Sequence, residues 1–179
     1  MRIIAGRLGG RQFNSPNGHR THPMSDKVRG ALFNALGDIA GLTVLDAFAG
    51  SGALSFEAIS RGAATALAID VDRQAAASIK QNSKSLNLGS RVKVIQANTS
   101  SWLETNPNAR FDLIFCDPPY DQLQEKLIEK LASCLKPEGL LILSWPGKAR
   151  LPSLESLSLI DQKNYGDTQL AFYRPSELE

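Results

Sequence analysis

The sequence predicts an α/β fold: a mostly parallel seven-stranded sheet with helices on both faces, preceded by a small N-terminal β-hairpin and a helix. Three observations predict it. From Thr43 onward, short apolar runs alternate with longer amphipathic segments, the pattern of strands joined by crossover helices. A glycine turn, Ala49-Gly50-Ser51-Gly52, closes the first of those runs and opens a helix. Asp46, Asp70, Asn98 and Asp117 fall at or just after the ends of four successive runs, the edge at which open α/β sheets bind ligands.

In chain order, Arg2-Ile3-Ile4-Ala5 and Arg11-Gln12-Phe13 alternate around Gly6 and Gly9-Gly10 as a hairpin would. Residues 15–24 hold Pro16, Asn17-Gly18 and Pro23 and form a loop. Ser25 caps a helix running to about Leu36, with Val28, Leu32, Phe33 and Leu36 on one face. Strands follow at Thr43–Phe48, Ala66–Asp70, Arg91–Ile95, Phe111–Cys116 and Leu140–Leu143. Helices lie between them: Ala53 to Arg61, Arg73 to Leu88 with Gly89 as its stop, a short one around Trp102-Leu103, and Gln122 to Leu135. Lys136-Pro137-Glu138-Gly139 turns into the fifth strand, and two more β segments, near Leu157–Lys163 and Thr168–Tyr173, flank Gly166-Asp167. The 179 residues fit one domain, 1–179, with residues 1–24 as an appended arm.

Composition narrows the function classes. No apolar run approaches the ~20 residues of a membrane span, and Met1–Gly6 lacks the apolar stretch of a signal peptide, so a cytoplasmic protein is expected. Cys116 and Cys134 lack CxxC spacing and read as buried small hydrophobes in a predicted strand and helix. His19 and His22 complete no ligand set with them, and no metal is expected. The net charge of +2 hides an asymmetry: residues 1–29 carry Arg2, Arg7, Arg11, Arg20, Lys27 and Arg29 against Asp26, or +5, leaving −3 for the remainder. A basic arm before a near-neutral body points to a polyanionic partner.

Two motifs carry the chemistry. In the glycine turn, Gly50 and Gly52 allow close backbone approach to a ligand. Asp70 is placed to accept from a ribose diol, while Asp46 beside the turn repels a pyrophosphate and attracts a cation. S-adenosylmethionine, with its ribose, ammonium and sulfonium, satisfies both acids, whereas NAD sets its diphosphate against Asp46. The second motif, Asp117-Pro118-Pro119-Tyr120, ends an apolar strand with a carboxylate, two residues of fixed φ and an aromatic ring. A carboxylate and a carbonyl beside a flat ring suit a planar base with an exocyclic amine. Hydrogen bonds to Asp117 and to the Pro118 carbonyl free the amine lone pair for attack, and Tyr120 stacks on a base swung out of its helix.

Val44–Gly52 and Asp117–Tyr120 resemble motifs I and IV of the class I S-adenosylmethionine-dependent amino-methyltransferases, which are Rossmann-like. Arg2-Ile3-Ile4-Ala5-Gly6…Gly10-Arg11, the stretch Pro23–Asn34 and Leu135–Gly139 are similar to the bacterial RsmD family of 16S rRNA guanine-N2 methyltransferases. The resemblance implies a cofactor turn of Asp46, Ala49, Gly50 and Gly52, ribose held by Asp70, and adenine packed on Val71. Asn98 stands where many relatives have an aspartate at the adenine amine. His22 stands where the family has arginine, a change that weakens that contact with RNA. Arg7, Arg11, Lys27 and Arg29 are then the phosphate-contact candidates, and 16S rRNA in a small subunit or its assembly intermediate is the implied partner. An adenine-N6 methyltransferase and a non-catalytic ligand sensor or assembly factor are the alternatives.

Overall fold

The computed structural model describes residues 1–16, 23–120 and 125–176. Its elements are α1 (Asp26–Leu36), β1 (Thr43–Asp46), α2 (Ala53–Ser60), β2 (Thr65–Asp70), α3 (Arg73–Ser85), β3 (Val92–Gln96), α4 (Thr99–Thr105), β4 (Phe111–Cys116), α5 (Glu125–Ala132), β5 (Leu135–Pro146), β6 (Leu157–Asn164) and β7 (Thr168–Pro175). The strands form one seven-stranded sheet of order β3-β2-β1-β4-β5-β7-β6. The first five strands are parallel, and β7 enters antiparallel between β5 and β6. Strand order reverses between β1 and β4, so the crevice at their C-terminal ends is the topological switch point.

Both sheet faces are buried, which explains strands that are apolar throughout rather than alternating. Val44, Leu113, Phe115 and Ile142 pack with Leu32 and Phe33 of α1, Phe56 and Ile59 of α2 and Ile79 of α3. Their neighbours Leu45, Ile114, Leu141 and Leu143 face the other way, against Leu103 of α4 and Ile128 and Leu131 of α5. The Ser25 hydroxyl caps α1 by accepting from the Val28 N–H at 3.2 Å, as expected.

Four expectations need correction. The N-terminal hairpin is not formed as two strands; Arg2 and Gln12 make one isolated antiparallel bridge. The reason is competition for the ladder's donors: the Ile4 and Ala5 amides donate instead to the Glu57 carboxylate, at 2.7 and 3.1 Å, and the Leu8 amide to Ser60 Oγ at 2.9 Å. Helix α3 ends at Ser85, before Gly89. Asn87 takes the left-handed conformation at φ 58°, and the Leu88 N–H reaches back to the Ser83 carbonyl at 2.7 Å, a Schellman closure that seats Leu88 in the core. The turn expected at 136–139 is a bulge within β5, whose register with β4 jumps from Phe111↔Leu135 to Leu113↔Leu140. Cys134 lies past the end of α5, buried in the turn to β5 rather than in a helix. His19, Arg20, His22 and the expected helix start at Gln122 lie outside the described residues.

Candidate active site

The cofactor turn is built by backbone contacts between adjacent strands. The Ala47 amide donates to the Phe115 carbonyl at 3.0 Å and the Ala49 amide to the Ile69 carbonyl at 2.9 Å, which carries the chain across the ends of β4 and β2. Gly52 then starts α2 at φ 79° with no side-chain cap of its own, and the Ala53 N–H donates to the Ser51 hydroxyl at 3.4 Å. A Cβ on Gly52 would stand 3.0 Å from Phe56 Cε2 and 3.1 Å from Ile79 Cγ1. Asp70 holds the turn from below: its Oδ2 accepts the Gly50 N–H at 2.7 Å, and its Oδ1 accepts that of Asp72 at 2.8 Å. Val71, the next residue, is 68% exposed, a large apolar side chain presented to solvent at the end of β2. Asn98 is exposed and caps α4, its side-chain oxygen accepting from the Ser101 N–H at 3.2 Å.

Asp46 is buried, and only one of its oxygens is bonded: Oδ2 accepts the Ser55 hydroxyl at 2.7 Å, while Oδ1 has no partner. Burial pushes its carboxyl up to about 7; the Ser55 hydrogen bond opposes this, and the charges of Asp117 and Asp70 add to it. An unpaired carboxylate oxygen in such a place is complementary to a ligand cation. The donor set thus fits the ammonium and ribose of S-adenosylmethionine and disfavours a diphosphate.

Next to it, Asp117 and Pro118 follow β4. Burial raises the Asp117 carboxyl above the ordinary carboxylate range, and the Ser144 hydroxyl works in the opposite direction. Pro118 is buried, Pro119 is exposed, and Tyr120 is 40% exposed. The Tyr120 hydroxyl lies 3.0 Å from Thr168 Oγ1, 3.3 Å from Ser144 Oγ and 3.4 Å from the Trp145 carbonyl, with its one hydrogen shared among them, so the ring is moored to β5 and β7. A small cleft before Asp117 is walled by Met24, Leu54, Ser144 and Leu170. Met24, which ends the N-terminal arm, brings that arm to the acidic edge.

Of the four basic candidates, Arg7, Arg11 and Lys27 are exposed. Arg29 is not: it is 0% exposed, with Nη2 donating to the Arg2 carbonyl at 2.8 Å and to Asp26 at 3.0 Å, and Nε 3.9 Å from Glu57. Its position on the apolar side of α1 and a buried countercharge make it a strut of the arm rather than a surface phosphate contact. The residues that sequence reasoning missed are polar ones inside helices and late strands, Ser55, Glu57, Ser60, Ser144 and Thr168. For Glu57 a signal existed, since it is the lone charge in the otherwise apolar or small segment Ala53–Ser60. Among the described residues, no cluster of three or more potential metal ligands occurs, and no helix is long and apolar enough to cross a membrane.

A doubly wound sheet whose switch point combines a bare glycine turn with carboxylates at the ends of the two central strands, Asp46 buried and Asp117 half-buried, defines the class: the chain is a methyltransferase. The family model described as Conserved hypothetical protein 95 matches residues 1–174, and the chain belongs to that family, the RsmD family of methyltransferases. It is 40% identical over 131 residues to ribosomal RNA small subunit methyltransferase D of Buchnera aphidicola, covering 72% of this chain and 68% of the relative. The protein of the same name from Haemophilus influenzae is 33% identical over 180 residues, covering 97% and 93%. The solved structure of yhhF from Escherichia coli superposes with a TM-score of 0.88 at 33% identity, covering 99% of each chain.

Proposed function

We propose that the chain transfers a methyl group from S-adenosylmethionine to the exocyclic N2 of a guanine in 16S rRNA during assembly of the small ribosomal subunit. The observation that carries this is the pairing of two acids at the ends of adjacent strands: Asp46, buried and with an unpartnered oxygen, and the half-buried Asp117 just after β4, followed by the buried Pro118. Membership in a family whose relatives are named as rRNA methyltransferases supports the choice of acceptor.

When bound, S-adenosylmethionine supplies a methyl group already activated by its sulfonium. Asp46 Oδ1 would hold the ammonium, Asp70 the ribose and Val71 one face of the adenine, and Asn98 would bond its edge. Ala49, Gly50 and Gly52 would let the backbone approach the cofactor closely. The Asp117 carboxylate and the Pro118 carbonyl accept the two hydrogens of the guanine amine and turn its lone pair toward the methyl carbon, while Pro119 fixes the direction of the chain. Asp117, whose burial raises its affinity for protons, would take the proton that the amine gives up on methylation. Tyr120 stacks on the extruded base, and Arg7, Arg11 and Lys27 hold nearby phosphates.

The test is incubation of the protein and labelled S-adenosylmethionine with 30S subunits from cells lacking the activity, followed by digestion to nucleosides. Label in N2-methylguanosine at one position is expected. Label in N6-methyladenosine would overturn the acceptor assignment, and binding of the cofactor without any transfer would favour an assembly factor.

A further inference from the structure

We propose that the loop 147–150, which leaves the C-terminal end of β5, is a second nucleic-acid contact that grips backbone phosphates on the side of the target base away from the cofactor. The proposal rests on RNA being the substrate class and adds a surface to it.

Position is the first ground. Across the sheet, the cofactor residues belong to β2 and β1, Asp117 follows β4, and β5 and β7 come next. Pro146, the last residue of β5, pairs with Thr168, the first of β7. The loop therefore springs from the catalytic edge one strand beyond β4, about 5 Å at the ordinary strand spacing. Tyr120 leans on its root, through Thr168 Oγ1 and the Trp145 carbonyl.

Construction is the second ground. The buried Gln169 amide donates to the Pro146 carbonyl at 2.8 Å and to the Ala149 carbonyl at 2.7 Å. The buried Trp145 indole N–H donates to the Arg150 carbonyl at 3.0 Å, and Asn164 donates to the Gly147 carbonyl at 3.0 Å. The Gly147 amide donates to the Asp167 carbonyl at 2.8 Å, and a Cβ at 147 would stand 1.9 Å from the Gly166 oxygen. An exposed connection with so many of its backbone groups tied down is preorganised, which lowers the entropy cost of binding.

Charge is the third. Lys148 and Arg150 are exposed, and neither takes part in an ion pair among the described residues, whereas nearby Lys163 is spent on Asp161 at 3.3 Å. The loop's rigid backbone thus offers two uncommitted cations beside the ring assigned to the target base.

The experiment is the salt dependence of binding to a fluorescein-labelled RNA hairpin, for the full chain, for Lys148→Glu/Arg150→Glu and for Lys148→Gln/Arg150→Gln. Loss of two phosphate contacts should lower the slope of log affinity against log salt by about 1.4 to 1.8. Affinity at low salt should fall about tenfold with glutamine and further with glutamate, with cofactor affinity unchanged in both. An unaltered slope in the glutamine variant overturns the proposal, and that variant keeps the test valid if the glutamate one does not fold. Methyl transfer to 30S subunits by the unmodified chain is scored in parallel. Transfer with an unaltered slope sinks the loop assignment alone; a reduced slope without transfer sinks the choice of acceptor and leaves the surface standing.

Discussion

Glu57 Oε2 accepts the backbone N–H of Ile4 at 2.7 Å, joining two residues that are 53 positions apart. The same carboxylate takes the Ala5 amide and the Arg61 guanidinium, and stands 3.9 Å from the buried Arg29. Ser60 completes the dock by donating to the Ala5 carbonyl at 2.6 Å, and Gly6 lies so close that a Cβ would sit 2.1 Å from the Ser60 oxygen. The N-terminal arm is thereby part of α2, the helix that begins at the cofactor turn.

Glu57→Ala should cost about 3 kcal/mol or more, because it leaves the half-buried Ile4 and Ala5 amides without their acceptor and removes the buried countercharge beside Arg29 and Arg61, leaving Arg29 paired with Asp26 alone. Denaturant unfolding measures the loss, and hydrogen exchange should show the amides of Ile4 and Ala5 exposed before the sheet opens. Stability within about 0.5 kcal/mol of the parent would mean that the arm is held by Ile3 and Phe13 packing alone.

Gly52→Ala tests the turn. The residue sits at φ 79°, and the added methyl meets Phe56 and Ile79, themselves packed by the edge-on Phe13–Phe56 pair at 5.1 Å between centroids. Backbone strain of about 1–3 kcal/mol is expected, with weaker cofactor binding by calorimetry. A fully stable variant with unchanged cofactor affinity would remove Gly52 from the turn's requirements.

How far the sequence carried depends on where each signal lies. The strands Phe111–Cys116 and Thr65–Asp70 announce themselves because burial on both faces forces continuous apolar runs. The acidic edge follows from them, since a parallel sheet puts every strand's last residue on one side. What could not be seen are partners that depend on long-range register. Whether Ser55 faces Asp46, or Thr168 faces Tyr120, is decided by a helix crossing and by an antiparallel strand inserted out of order. Arg29 misled for a related reason: charge alone suggests a surface, but a buried Glu57 elsewhere in the chain draws it inward.

Asp46 should make cofactor affinity depend on pH. Its carboxyl is raised to about 7 in the free protein, and it must be ionised to hold an ammonium. Affinity is therefore expected to rise with pH across about 6 to 8, with proton release on binding seen as a buffer-dependent calorimetric heat. For the free protein the sign is opposite. A carboxyl whose folded value lies above its unfolded one contributes stability that is full below the unfolded value of 3.8 and is lost as pH rises through about 7. Asp46→Asn should flatten both profiles and weaken binding; unchanged profiles would rule Asp46 out as the titrating group.

Asp117→Asn keeps the shape of the site and removes the charge. Turnover is expected to fall by at least about 100-fold, with cofactor binding within about twofold of the parent, since the proposed mechanism sets the residue on the acceptor side. Equal losses in turnover and cofactor affinity would instead place Asp117 with the cofactor.

Tyr120 separates stacking from mooring. In the proposed function its ring provides the plane for the base; its hydroxyl ties that ring to Thr168 and Trp145. Tyr120→Ala removes both and should cost about 1–3 kcal/mol of base stacking, read as a rise in KM for the RNA substrate. Tyr120→Phe keeps the ring and frees it to swing, so its loss should be smaller and fall on kcat, because a base held at the wrong angle presents its amine poorly to the methyl group. If the two variants behave alike, the hydroxyl is the functional group and the ring is only its carrier.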